Sequence, residues 1–127
     1  MSKKIINSSH APAAVGPYSQ AVRIGNIVYT AGQIGIDPAT GKMQDGLEAQ
    51  TKQVMANLQA VLEAAGTGFT NVVKTTIYIT DMSHFSIINN IYGSYFDEAP
   101  PARSTVAVSQ LPLGALVEIE AVAFTTD

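Results

Sequence analysis

The chain has 127 residues, 46% of them hydrophobic and 13% charged, with a net charge of −3 and no cysteine. This length suits one domain with a core of its own, and the charge content is well below the roughly 25% of an average soluble domain. Disulfides, thiolate metal sites and thiol nucleophiles are excluded, and the scattered basic residues Lys3, Lys4, Arg23, Lys42, Lys52, Lys74 and Arg103 form no stripe that would track a phosphate backbone.

A surface so sparing with charge is expected where part of it is covered by another copy of the chain. "MSKKIINSSH" has the charges of a signal peptide's start without an apolar stretch behind them, and no apolar run reaches the roughly 18 residues of a membrane span. The expectation is a single domain over 1–127, cytoplasmic, with no membrane or nucleic-acid partner.

In chain order, a short "KKII" strand precedes "SSHAPAAVGPYSQ", whose Pro, Gly and small residues read as irregular backbone. "AVRIGNIVYTAGQI" is a pair of β-branched runs around a Gly-Asn turn, and "DPATGK" is a second turn. From Leu47 to Ala65 the apolar positions recur at three- and four-residue steps, and Gly66 stops an amphipathic helix. "NVVKTTIYIT" is a strand. "DMSHFSIINNIYGSYF" is a second helix, with Asp81 or Ser83 as N-cap and Phe85, Ile88, Tyr92 and Tyr95 on one face; Pro100-Pro101 ends that region. "ARSTVAV" and "LVEIEAVAF" close the chain as strands on either side of the turn "SQLPLG".

The order β-β-β-α-β-α-β-β predicts an α+β fold: a six-stranded mixed sheet with both helices on one face. Along the last strand, Val117, Ile119, Ala121 and Ala123 point one way, and Leu116, Glu118, Glu120, Val122 and Phe124 the other. The second set mixes carboxylates with large apolar groups, a combination expected of a face buried between subunits.

Arg103, Glu118 and Glu120 thus lie among residues that read as buried strand. Arg103 follows "PPA" at the mouth of its strand, where it can be a surface arginine or a two-point clamp on a ligand carboxylate. The two glutamates can be edge-strand charges, or one can be a carboxyl of raised proton affinity at a half-dry interface. Their spacing does not choose between them. Tyr18 reads as a packing plug more readily than as a proton donor, and Gly32 as a bulge or a point of close approach. His10 and His84 have no partner at metal-ligand spacing, Ser19, Ser104 and Ser109 have no suggestive histidine, and "GTGF" and "VGPYS" match no phosphate loop.

Taken together, "HAPAAVGPYSQAVRIGNIVYTAGQI", "VVKTTIYITDM", "YFDEAPPARSTVAV" and "LVEIEAVA" resemble the Rid family (RidA, also called YjgF-like), the reactive-intermediate imine/enamine deaminases, over essentially the whole chain. The resemblance implies a chorismate-mutase-like fold whose three subunits form a barrel with clefts between neighbours. It implies hydrolysis of 2-imino acids such as 2-iminopropanoate and 2-iminobutanoate, released by pyridoxal-phosphate-dependent dehydratases, to 2-oxo acids and ammonia. It implies no cofactor and no metal.

Residue by residue, the resemblance makes Arg103 the carboxylate clamp, Glu118 the activator of water, Gly32 a backbone contact to substrate, Tyr18 the closure of the cleft, and Asn89 a neighbour of the site. Two positions depart from the pattern. Ala31 stands where serine or threonine is usual, and Thr105 where cysteine is usual, both in the substrate-binding region. A non-catalytic 2-oxo-acid-binding module is the alternative function, and RNA cleavage or translation inhibition, disfavoured by the acidic balance, is a further one.

Overall fold

The computed structural model describes residues 2–126. Six strands, β1 (Lys4–Ile6), β2 (Ala21–Ile24), β3 (Ile27–Thr30), β6 (Val72–Ile79), β7 (Ala102–Ala107) and β8 (Val117–Phe124), form one sheet in the order β1-β2-β3-β8-β6-β7. All neighbours are antiparallel except β6 and β7. A parallel pair needs a crossover, and helix α2 (Phe85–Gly93) supplies it.

The β2–β3 hairpin closes at Ile24 and Ile27 with Gly25 at φ 57°, a left-handed conformation that glycine adopts without steric cost. Around the "DPATGK" turn the chain also forms a ribbon, β4 (Ile36–Asp37) with β5 (Lys42–Met43), which the sequence did not announce. Two-residue strands are too short to leave an alternation.

Helix α1 (Leu47–Ala64) buries Val54, Met55, Leu58, Val61 and Leu62 completely, and Gly66 at φ 86° turns the chain away. At the second helix Asp81 accepts from the Ser83 amide, but it caps a single 3-10 turn, Met82–His84, ahead of α2. The helix ends at Gly93, short of the Phe96 expected, because Tyr95 and Phe96 bond back by three residues to Tyr92 and Gly93.

Both helices pack on one face of the sheet. Val117, Ile119, Ala121 and Ala123 of β8 are buried there, beside Ile77 and Ile79 of β6 and against Leu58, Ile88 and Tyr92. On the opposite face Glu118, Glu120 and Val122 are half-buried, and Tyr29, Val106 and Phe124 are exposed. No helix among the described residues is long and apolar enough to cross a membrane.

The reading of Arg103 as lodged in buried strand is corrected. Strand β7 is the sheet edge, paired only with β6, and Arg103 is exposed.

Candidate active site: two half-sites on opposite faces of the sheet

The first half-site begins with a defect in the β3–β8 ladder. Tyr29 faces Val122, but the next pairing is Gln33 with Ile119, so β3 carries one additional residue: a bulge. Gln33 and Ile119 exchange both backbone bonds, at 2.9 and 3.1 Å. Inside the bulge the Ala121 amide donates to the Thr30 side-chain oxygen at 3.0 Å, and the Ala31 amide donates to the Gln20 carbonyl at 2.9 Å.

The bulge lays Gly32 against Glu118. A Cβ on residue 32 would stand 2.7 Å from Glu118 Cδ and 2.8 Å from Cγ. Only glycine leaves that space to the carboxyl group, which is why a glycine interrupts a β-branched run. Burial pushes the Glu118 carboxyl above the ordinary range, and the charge on Glu120 adds to the rise.

Glu118 opens on a cleft of about 750 Å3 shared with Tyr18, Ala31, Gly32, Val15 and Leu113. Glu120, two residues further along the strand, is not among the cleft residues. Glu120 instead neighbours Tyr78, whose phenol is raised by burial and then by the charges of Glu120 and Glu118.

One wall of the cleft is the irregular N-terminal segment, and Gln20 holds it. Buried Gln20 accepts from the Ser8 amide at 2.6 Å and donates to the carbonyls of Ser8 and Pro12 at 3.2 and 2.8 Å. Tyr18 follows on a tight turn, its amide donating to Gly16 at 2.8 Å, and its side chain stands 51% exposed at the cleft mouth.

The second half-site lies across the sheet. Arg103 pairs in register with Thr75, whose buried hydroxyl shares a 2.6 Å hydrogen bond with Tyr92, so Arg103 belongs to the helix-covered side. Its Nη1 donates to Asn89 Oδ1 at 2.7 Å, and the guanidinium lies 5.3 Å from the Phe85 ring centre and 5.1 Å from that of Tyr92. Burial raises the Tyr92 phenol, opposed by its bond to Thr75 and by the Arg103 charge.

Among the described residues Arg103 pairs with no carboxylate. Two positions along the same face, Thr105 has a buried hydroxyl with no hydrogen-bond partner. An open cation beside an unsatisfied hydroxyl suits a small anionic ligand.

The sequence-predicted residues therefore divide into two sets. Tyr18, Ala31, Gly32 and Glu118 share the cleft; Arg103, Asn89 and Thr105 cluster at the β7 edge. Within one chain the sets do not meet.

Sequence reading put Phe85 and Tyr92 on one helix face but missed them as the guanidinium's bed. Their spacing of four and three residues around Asn89 was the available signal. It also missed the apolar walls contributed by Val15 and Leu113. His10 is exposed, and His84 sits in the 3-10 turn with its Nδ1 buried and unpartnered. No group of three or more His, Cys, Asp or Glu among the described residues could hold a metal ion.

Comparison with known proteins matches residues 8–125 to the family model described as Endoribonuclease L-PSP. The 2-iminobutanoate/2-iminopropanoate deaminase of Mus musculus is 47% identical over 122 residues, covering 95% of this chain and 90% of its own. The crystal structure of YyfA, a Rid-family protein of unknown function from Yersinia pestis, superposes with a TM-score of 0.95 at 50% identity, covering 98% of this chain and 100% of that one. Escherichia coli TdcF, solved with bound serine, gives 0.93 at 40% identity, covering 97% and 99%. The chain belongs to the Endoribonuclease L-PSP family, the family of the RidA and YjgF proteins.

Proposed function

We propose that this protein hydrolyses reactive 2-imino acids and their enamine tautomers to 2-oxo acids and ammonia, in clefts shared by neighbouring subunits of a homotrimer. The observation that carries this reading is the seat of Glu118: a half-buried carboxyl of raised proton affinity, laid on Gly32 and facing an apolar cleft. The deaminase relatives and the serine bound to TdcF support a small amino- or imino-acid ligand.

In this mechanism the Arg103 guanidinium of one subunit grips the substrate carboxylate at two points, with Asn89 and the two rings fixing its plane. Glu118 of the next subunit holds a water molecule and takes one of its protons as the oxygen attacks C2 of the imine. The imine nitrogen becomes the amine of a tetrahedral carbinolamine. It does so by receiving that first proton back from Glu118, which then passes the carbinolamine's hydroxyl proton to the amine; as the C–O bond becomes C=O the C–N bond breaks, expelling ammonia and leaving the 2-oxo acid. Imine hydrolysis already proceeds in water, so alignment and local concentration supply most of the gain. Tyr18 at the cleft mouth excludes solvent.

The test is a coupled assay with a pyridoxal-phosphate-dependent threonine dehydratase. Release of 2-oxobutanoate from its imine is accelerated by the protein and not by Arg103→Ala. Absence of acceleration, with a 2-oxo acid still bound, would favour the non-catalytic module; salt-sensitive RNA binding would favour the nuclease reading.

A further inference from the structure

Side-chain amides on α1 tie both walls of the Glu118 cleft to one helix. Gln50 is 5% exposed, and its two ends address two different walls. Its Oε1 accepts from the Leu116 amide at 2.8 Å, and its Nε2 donates to the Gln44 carbonyl at 3.1 Å. Leu116 lies between the Pro112–Leu113 wall and Glu118 itself. Gln44 closes the base of the β4–β5 ribbon, its amide donating to Gly35 at 2.8 Å, and that ribbon brings Ile36, Pro38 and Gly41 to the cleft.

The ribbon's base is pressed directly onto Gln50. A Cβ on Gly35 would stand 2.7 Å from Gln50 Cα and 2.9 Å from its Cβ. Further along the helix Asn57 donates to the carbonyls of Ile34 and Ile36 at 3.1 and 2.9 Å. Those two acceptors orient the Asn57 amide, so its Oδ1 takes the Gln53 amide at 2.8 Å, and Gln53 in turn accepts from Gln44 Nε2 at 3.0 Å.

Gln50, Gln53 and Asn57 follow the helical spacing of three and four, so they form one polar stripe on α1. Buried amides cost free energy unless satisfied, and apolar side chains would fill the space without that cost. What apolar groups cannot do is hold loop backbone in place.

Building on the proposed hydrolase reading, we propose that Gln50 is a positioning residue whose two ends set the two walls of the cleft separately. Its carbonyl end holds Leu116 and, through the first residues of β8, the Glu118 carboxyl. Its amide end holds the ribbon wall against which the substrate rests.

The test separates the ends by steady-state kinetics with the imine from threonine dehydratase. Gln50→Glu keeps an acceptor for Leu116 and sets a second acceptor against the Gln44 carbonyl, so KM rises about fivefold while kcat stays within about twofold of wild type. Gln50→Leu removes both ends, and kcat falls about tenfold as well, since small misplacements of a reacting group cost that much. A merely structural residue would lower Tm in both variants and leave kcat and KM per folded site unchanged, which overturns the proposal.

Should neither variant fold, hydrogen exchange on the wild type decides. The Leu116 amide, held by the Gln50 side chain, is protected like its neighbours in β8; exchange at the rate of an open loop overturns the proposal. Should the wild type hydrolyse no imine, the functional reading fails by itself. The positioning role is then read from 2-oxobutanoate binding, weakened several-fold in Gln50→Glu if it holds and unchanged if it does not.

Discussion

Arg103 and Glu118 stand on opposite faces of one sheet, with strand β6 between theirs. They are two strand spacings, roughly 10 Å, apart across the sheet and three residues, roughly another 10 Å, apart along it, with its thickness between them. A guanidinium and a carboxylate so placed cannot act on one small acid within one chain. In the proposed homotrimer, a heterologous interface in which the Arg103 edge of each chain meets the Glu118 cleft of the next would close into a ring and unite them.

Mixed rings test this arrangement. Arg103→Ala and Glu118→Gln are each expected to be strongly impaired alone. Refolded together in equal amounts, half the clefts receive an intact arginine and half of those an intact glutamate, so about one quarter of wild-type activity returns. An active site contained in one chain predicts no recovery in the same imine assay.

Arg103→Ala is expected to lower kcat/KM by roughly 30-fold or more, the equivalent of about 2 kcal/mol or above for one partner of a desolvated carboxylate pair. Lysine at this position rescues poorly, because it lacks the planar fork and stacks less well on Phe85 and Tyr92. Asn89→Ala, which removes a single hydrogen bond that orients the guanidinium, costs about five- to tenfold. Rates measured at fixed dehydratase flux check all three.

Gly32→Ala separates activity from stability. The nearest atoms that the new methyl would strike all belong to the Glu118 side chain, from Cγ outward, which can swing aside. Activity therefore falls by about tenfold or more as the carboxyl leaves its seat, while Tm, measured by thermal unfolding, changes little. A large drop in Tm with activity per folded protein intact would contradict the seat described here.

The pH dependence follows from the raised Glu118 carboxyl. Its folded proton affinity exceeds the unfolded one, so as pH rises from the unfolded value through the folded value the native state loses stability, and the penalty is fully present above both. Glu118→Gln is accordingly more thermostable than wild type at neutral pH, and the difference closes at acid pH. Activity runs the other way: kcat/KM falls as pH drops through the raised value, because the water-activating form is the carboxylate. Melting curves and pH–rate profiles of the two proteins check the signs.

The β8 alternation, the Gly-Asn hairpin and the α1 stripe were legible because each is a local pattern written in consecutive residues. That alternation already put Glu118 on the face away from the helices. The exposure of Arg103 was not legible, since "ARSTVAV" reads alike in a central or an edge strand, and only strand order makes β7 an edge. Gly32 was visible as an anomaly in a strand run, but its cause is a carboxyl brought from the far end of the chain. The polar stripe on α1 was likewise hidden, because glutamine and asparagine on a helix read as a solvated face until the backbone groups they hold are in view.

In the proposed homotrimer, a division of labour across the sheet would also make the chemistry depend on concentration. If no subunit owns a complete set of reactive groups, a freshly made chain is inert until it finds its fellows, and turnover per molecule declines on dilution past the point where rings dissociate. Damage is then inherited one cleft at a time: a chain lacking its guanidinium silences a single seam of a mixed ring and leaves the other two working, so loss scales in proportion to the faulty copies rather than poisoning whole assemblies.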